Sequence, residues 1–404
     1  SQRSTEFKSS AGGRFAGMPA RYEPTVKWET WGAVRANGRR FCNGRTILLF
    51  DATGVPEDMN EFPFAGLEIG LYSISSTREN LLVAQRAEAR GFKRIWLAED
   101  HHSRDVIVQA TAVALATDSI EIALGIINPY TRHPAQITMA VADLEELAGP
   151  RLVLGLGAAW SAIAAHGLER PRPIRALAET SDIFRGLIAG KRVSFQGEVF
   201  RLPSPGAKLG FRPVRNRVPL YFGTMGPKTL KMLVPRADGI LFSVFSSPEF
   251  IQDRIAQVHE AQDAAGRSTD EIDIACYIIF AVDHDGGAAR EAAKWVVAHY
   301  LRRIPDPTRA IIAGLDADQV AGLQNTLRAA FGGDSYDAAV AAIPHDVVNA
   351  LAVAGTPAEC IERLQDFAAV GIKTPVLYHT LGPDRAAAID LIADEIRPAL
   401  VASG

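Results

Sequence analysis

From residue 67 onward, short apolar runs alternate with longer stretches in which apolar residues recur every three or four positions. The runs read as eight strands, at 67–73, 94–98, 120–127, 151–157, 218–222, 239–243, 272–282 and 374–379. Between them the helical period is explicit: Ile251, Ile255 and Val258 share a face, and so do Ile361, Leu364 and Ala368. In the last helix Ile389, Ile392, Ala393 and Ile396 form an i, i+3, i+4, i+7 stripe. Eight strand–helix units predict an α/β protein, a (β/α)8 TIM barrel with insertions. An open doubly wound sheet is the alternative, because periodicity does not show closure.

Two segments break the rhythm. Residues 190–217 contain the alternating run Val193-Ser-Phe-Gln-Gly-Glu-Val-Phe200, which predicts a short hairpin about Gly197. Residues 301–355 are Ala-rich and helical, interrupted at Gly332-Gly333-Asp334. Both are expected on the loop face, walling a substrate pocket, with peripheral packing or an oligomer contact as the other reading of the second. Residues 1–66 are read as an N-terminal extension, partly disordered or packed on the barrel, and 67–404 as the barrel domain.

Polar residues cluster where predicted strands end, the place α/β folds put their chemistry. Ile122, Leu124, Ile126 and Ile127 give way to Asn128, Tyr130, Arg132 and His133 before Pro134. A second strand ends at Glu99-Asp-His-His102. A carboxylate beside imidazoles can move a proton near neutral pH, so Glu99, His101 and His102 are the catalytic candidates. The plainer reading is that Glu99 pairs with Arg104 or Arg132 and only fixes the strand end. Arg132 and His133 are candidates for clamping an anionic substrate or cofactor tail.

A third cluster, Tyr221-Phe-Gly-Thr-Met-Gly-Pro-Lys-Thr229, joins a strand to a helix. Gly223, Thr224, Met225, Gly226, Pro227 and Lys228 together read as a phosphate cradle, with Pro227 in the first helical position and Lys228 adding charge. Gly155-Leu-Gly157 lacks the third glycine of a dinucleotide fingerprint, since Trp160 stands there. Adjacent His101 and His102 have no zinc spacing, and no metal site is expected.

Composition narrows the class. A net charge of −3 and a pI near 6.3 argue against nucleic acid as partner. No apolar run is long enough to span a membrane, and no signal-peptide core precedes the barrel. The widely spaced Cys42, Cys276 and Cys360 fit free thiols in a reducing compartment, so a cytoplasmic protein is expected.

Taken together, Trp96-Leu-Ala-Glu-Asp-His-His-Ser-Arg104, Gly125–Pro134, Arg151–Gly157, Gly206-Ala-Lys-Leu209, Gly223–Lys228, Gly355-Thr-Pro-Ala-Glu359 and Leu381-Gly-Pro-Asp384 resemble the bacterial luciferase-like superfamily of flavin- and deazaflavin-dependent oxidoreductases. The Asn-Pro-Tyr-Thr-Arg-His-Pro, Gly-Ala-Lys-Leu and Gly-Pro-Lys pieces are most similar to its methylenetetrahydromethanopterin reductase branch. The resemblance implies a tricyclic cofactor, coenzyme F420 (a deazaflavin), at the carboxyl ends of the strands. FMN with a monooxygenase activity is the alternative, and a non-catalytic flavin-binding protein the alternative of another class. It implies a non-prolyl cis peptide at Gly125-Ile126, forming a bulge behind the ring. It places Asn128 at the ring edge, Gly157 and Ala158 against the cofactor through their backbone, and Gly223–Lys228 on its phosphate. The implied partners are a small-molecule substrate, a flavin or deazaflavin reductase, and further copies of the chain in a dimer or tetramer.

Overall fold

Eight parallel strands close on themselves in a computed structural model that describes residues 64, 66–100, 102–304 and 313–402, with two short strands nearer the N-terminus. They are β1 (Glu68–Tyr72), β2 (Arg94–Ala98), β3 (Glu121–Ile127), β4 (Leu152–Leu156), β5 (Leu220–Gly223), β6 (Gly239–Phe242), β7 (Asp273–Val282) and β8 (Thr374–Leu381). Each pairs with the next, and β8 returns to β1 with Leu377 opposite Ile69. Closure selects the TIM barrel over the open sheet. The chain ahead of residue 58 forms a unit of its own, of which only the antiparallel pair Phe41–Cys42 and Arg45–Thr46 is described. The expectations for residues 1–66 otherwise fall almost wholly outside the described residues.

The strands are buried on both faces, which is why they read as continuous apolar runs. Ile69, Leu71, Ile95, Leu97, Ile122 and Leu124 pack outward against the helices. Trp96, Ala123, Val153, Tyr221, Leu241, Tyr277 and Tyr378 point inward and fill the barrel. At the amino-terminal end the filling turns polar. Arg94 donates to Glu68 at 3.2 Å and to Glu121 at 2.7 Å, while the Tyr221 hydroxyl donates to Asp273 at 2.7 Å. Burial of Glu68 outweighs the neighbouring Arg94 and lifts its carboxyl to about 6.

Local signals set the helix starts. Ser76 and Glu79 form a capping box on α1 (Thr77–Ala89), and the Asp105 carboxylate caps α2 (Val106–Ala116). Then come α3 (Pro134–Ala148), α4 (Trp160–Ala165), α5 (Pro173–Ile188), α6 (Pro227–Leu233) and α7 (Pro248–Ala264).

The two insertions behave differently. The hairpin at 190–217 exists, as Val193–Gln196 against Arg201–Ala207. It is fastened to the flank of α5, where the Glu179 carboxylate accepts the backbone N–H groups of Glu198, Val199 and Phe200 at 2.7, 3.0 and 2.9 Å. It supplies no wall to the mouth cavities described below, contrary to expectation, because Glu179 and the apolar Phe200 and Leu202 hold it against α5.

The second insertion caps the barrel. After β7, α8 (Gly286–Leu301) is followed by α9 (Ala317–Ala330), α10 (Tyr336–Ala341) and α11 (His345–Leu351). A short strand, Val353–Gly355, then adds to the end of β7. Cap residues such as Val320, Val340 and Val348 belong to the same apolar cluster as the barrel interior.

Candidate active site

Strand β3 departs from regular pairing just before its end. Its register with β4 shifts between Leu124 and Ile127, a bulge that leaves Gly125 and Ile126 outside the ladder. The Gly125-Ile126 peptide is cis, the bond the resemblance implied. The hydroxyl of Tyr277, an inward residue of β7, donates to the Gly125 carbonyl at 2.8 Å. Burial keeps this phenol protonated far beyond its ordinary range, so it remains a donor. No side chain fits at Gly125: a Cβ there would lie 2.5 Å from both Trp96 and the Tyr277 hydroxyl.

Ile126 is thereby turned into the barrel mouth. Its side chain occupies the space that Cβ atoms on Gly157 and Gly223 would need, at 2.4 and 2.8 Å. These glycines were expected to let backbone approach a cofactor. In the structure their missing side chains seat Ile126.

Around Ile126 opens a cavity of about 450 Å³ at the carboxyl ends of β3–β7. Its walls include Ala158, Ala159, Leu177, Gly223, Thr224, Met225, Gly226 and Tyr277, with Thr229, Ser243 and Arg170 as polar groups. Seven of the expected cofactor residues therefore meet here or directly beneath: Gly125, Ile126, Ala158 and the Gly223–Gly226 loop. Gly157 adjoins through Ile126. Pro227 and Lys228 start α6 outside the lining. Asn128 is 2% exposed; its side-chain oxygen accepts the Tyr130 N–H at 3.0 Å, so it folds its own loop and does not line the cavity.

A second cavity, about 400 Å³, lies over β2 and β3, with Glu99, Asp100, His102, Arg104, Arg132 and His166 in its wall. The segment carrying α4 separates it from the first: Ala158, Ala159 and Arg170 face one side, His166 and Leu168 the other. The two polar strand ends do meet. Arg132 donates to Glu99 at 3.2 Å and also pairs with Asp105. Glu99 is therefore paired with Arg132, one of the two partners named for it. Burial still holds its carboxyl above the usual range, with Arg132 opposing.

His102 sits at φ 55, its ring 5.0 Å from that of His166. His101 lies outside the described residues. His133 is not in either lining; its Nδ1 accepts the Ala135 N–H at 3.2 Å, capping α3, and burial lowers its proton affinity. That engagement uses Nδ1 as the acceptor.

Sequence reading missed the other side of the mouth. Tyr72, at the end of β1, hydrogen-bonds Asp100, and its hydroxyl lies 3.0 Å from His299 Nε2 on α8. Arg303 completes the group, 3.1 Å from Asp100. Tyr277 could have been found, being the aromatic among the inward positions of β7. His299 and Arg303, four residues apart at the end of α8, meet Tyr72 and Asp100 only through the fold.

The family model of luciferase-like monooxygenases matches residues 62–374. The chain belongs to that family. It is 32% identical to the 5,10-methylenetetrahydromethanopterin reductase of Archaeoglobus fulgidus over 78% of this chain and 93% of the relative. It is 24% identical to an F420-dependent glucose-6-phosphate dehydrogenase of Nakamurella multipartita, over 79% and 91%. The structure of the coenzyme F420 dependent tetrahydromethanopterin reductase from Methanopyrus kandleri superposes with a TM-score of 0.75 at 26% identity, covering 83% of this chain and 99% of that one. This member of the luciferase-like family is thus an oxidoreductase by descent. Among its described residues no helix is long and apolar enough to cross a membrane.

Proposed function

We propose that the protein moves a hydride between a deazaflavin, coenzyme F420, and an organic substrate at the carboxyl-terminal mouth of the barrel. The observation that carries this is Ile126: a bulge braced from behind by Tyr277 offers one apolar side chain to the floor of a cavity open above it. A flat tricycle fits such a floor, and the F420-dependent relatives support the choice of ring. When bound, the deazaflavin supplies a carbon that accepts or donates hydride. The chain's own part is to position, exclude water and manage a proton. Ile126, Leu177 and Met225 would hold the ring, and Thr224, Thr229 and Arg170 line the same cavity, where its anionic tail would sit.

Substrate would enter from the second cavity, where His102 is the group assigned to the proton. Glu99, held by Arg132, keeps that strand end in place and tunes the local charge. His102→Ala is expected to lower turnover by about 10²–10⁴-fold and leave deazaflavin affinity unchanged. The reading as a whole is tested by titrating the full chain with oxidised deazaflavin and, separately, with FMN, following fluorescence quenching. Saturable deazaflavin binding supports it. Retention of FMN with no response to the deazaflavin would replace it by the flavin-dependent activity of the same fold.

A further inference from the structure

A third crevice, about 350 Å³, opens between the end of β8, α8 and the loop after β1. It shares no lining residue with the two mouth cavities. In its wall are His379, Arg385, Trp295, Ser75 and Thr380.

Two of these are unusual. His379 is only 9% exposed, and its Nε2 is buried without a hydrogen-bond partner. Its backbone lies at φ 85, a conformation that costs energy for a residue with a side chain. Arg385 is half-buried and spends two nitrogens on the neutral Asn80 oxygen, at 3.2 and 3.3 Å, while its Nε has no partner. No carboxylate among the described residues forms an ion pair with it. Glu79, the acid that influences it, is exposed, and its carboxylate accepts the Ser76 backbone N–H at 2.8 Å. Asp384 is committed to the Ala386 and Ala387 amides.

A partly buried guanidinium without a counter-charge is costly, and so is an orphaned imidazole nitrogen beside it. Both costs are removed by one event. We infer that this crevice is a binding subsite for the anionic group of a small molecule, a carboxylate or a phosphate, held by Arg385 and the Nε2–H of His379. The Ser75 and Thr380 hydroxyls line the same space and can donate to the remaining oxygens. Arg385 also keeps the unliganded imidazole neutral: burial, then this cation, push His379 down to about 3. A bound anion reverses the second of these influences.

The subsite is separate from the proposed cofactor cavity but not remote from the mouth. Trp295 stacks on His299 at 4.9 Å, and the Tyr72 ring lies 4.9 Å from His379. One aromatic wall therefore has the crevice on one side and the Tyr72–Asp100 pair on the other.

The test is titration of the full chain with sodium phosphate, with sodium acetate and with sodium chloride at matched ionic strength, reading tryptophan fluorescence. Saturable change with phosphate, acetate or both, absent with chloride and abolished in Trp295→Phe, is the expected result; the responding salt identifies the class of anion. Arg385→Gln should weaken binding at least about tenfold, the loss of one charge-assisted contact. Ala292→Glu, on the crevice lip of α8, places a carboxylate within the site without touching either residue and should abolish the response even if Arg385→Gln fails to fold. Deazaflavin titration of Ala292→Glu should match the parent chain, which separates this inference from the proposed activity. An equal response to chloride, no response to either anion, or full binding in Ala292→Glu overturns it.

Discussion

Replacing Tyr277 by Phe removes a single oxygen from the centre of the barrel, and the structure fixes what should follow. The Gly125 carbonyl lies in the bulge, where neither neighbouring strand reaches it: pairing with β2 ends at Leu124, and pairing with β4 resumes at Ile127. Its donor is the Tyr277 hydroxyl at 2.8 Å. Without it a buried acceptor is left unsatisfied, at a cost of about 1–3 kcal/mol, while the Phe ring still fills the space. Urea denaturation should show that loss as a lower midpoint with an unchanged slope.

The same substitution should weaken deazaflavin binding, because the bulge that presents Ile126 is no longer braced. A double-mutant cycle isolates this route. In an Ile126→Ala background, Tyr277→Phe should still cost stability but no longer affect affinity, a coupling of about 0.5–3 kcal/mol. A stability change below about 0.5 kcal/mol would show that the carbonyl does not depend on this hydroxyl. Additive effects on affinity would show that Tyr277 does not act through Ile126.

Three further outcomes are expected. Gly157→Ala puts a Cβ 2.4 Å from Ile126 and should cost about 1–3 kcal/mol of stability, largely recovered in a Gly157→Ala/Ile126→Val double variant. Glu68 titrates near 6 in the folded chain against 4.5 when unfolded, so the folded state holds the proton more tightly. Its contribution is complete below pH 4.5 and is lost as pH rises through 6, about 2 kcal/mol at about 1.4 kcal/mol per pH unit; denaturation across pH 4–7 should show it flattened in Glu68→Gln. Arg132→Gln removes the cation beside Glu99 and should raise that carboxyl further, moving the acidic limb of the turnover profile to higher pH and costing about 1–3 kcal/mol.

Much of the barrel was legible because parallel strands buried on two faces leave continuous apolar runs, and all eight appear where those runs stand. The Gly125-Ile126 bulge was legible through family resemblance, and the Gly223–Gly226 loop through its own glycines and the helix-starting proline. What single positions do there was not. Gly157 and Gly223 announce room, yet only coordinates show that the room belongs to Ile126. Glu99 and Arg132 announce a charged strand end, and spacing cannot distinguish a proton donor from an ion pair. His133 was read only as a clamp, while its place one residue before a helix-starting proline also made it a helix cap. The hairpin misled because alternation predicts a strand pair and not the flank it lies on; Glu179, the residue that places it, carries no pattern of its own.

The cap and the barrel share one apolar cluster: Val320, Val340 and Val348 are continuous with Tyr277 and Tyr378. Grafting this insertion whole from one relative to another would therefore disturb the inner lining along with the lid. Chimeras cut at its borders should misfold more readily than chimeras exchanging the hairpin on α5. Divergence of substrate preference in such a design proceeds by single replacements on the inner surface, each constrained by the aromatic residues it touches.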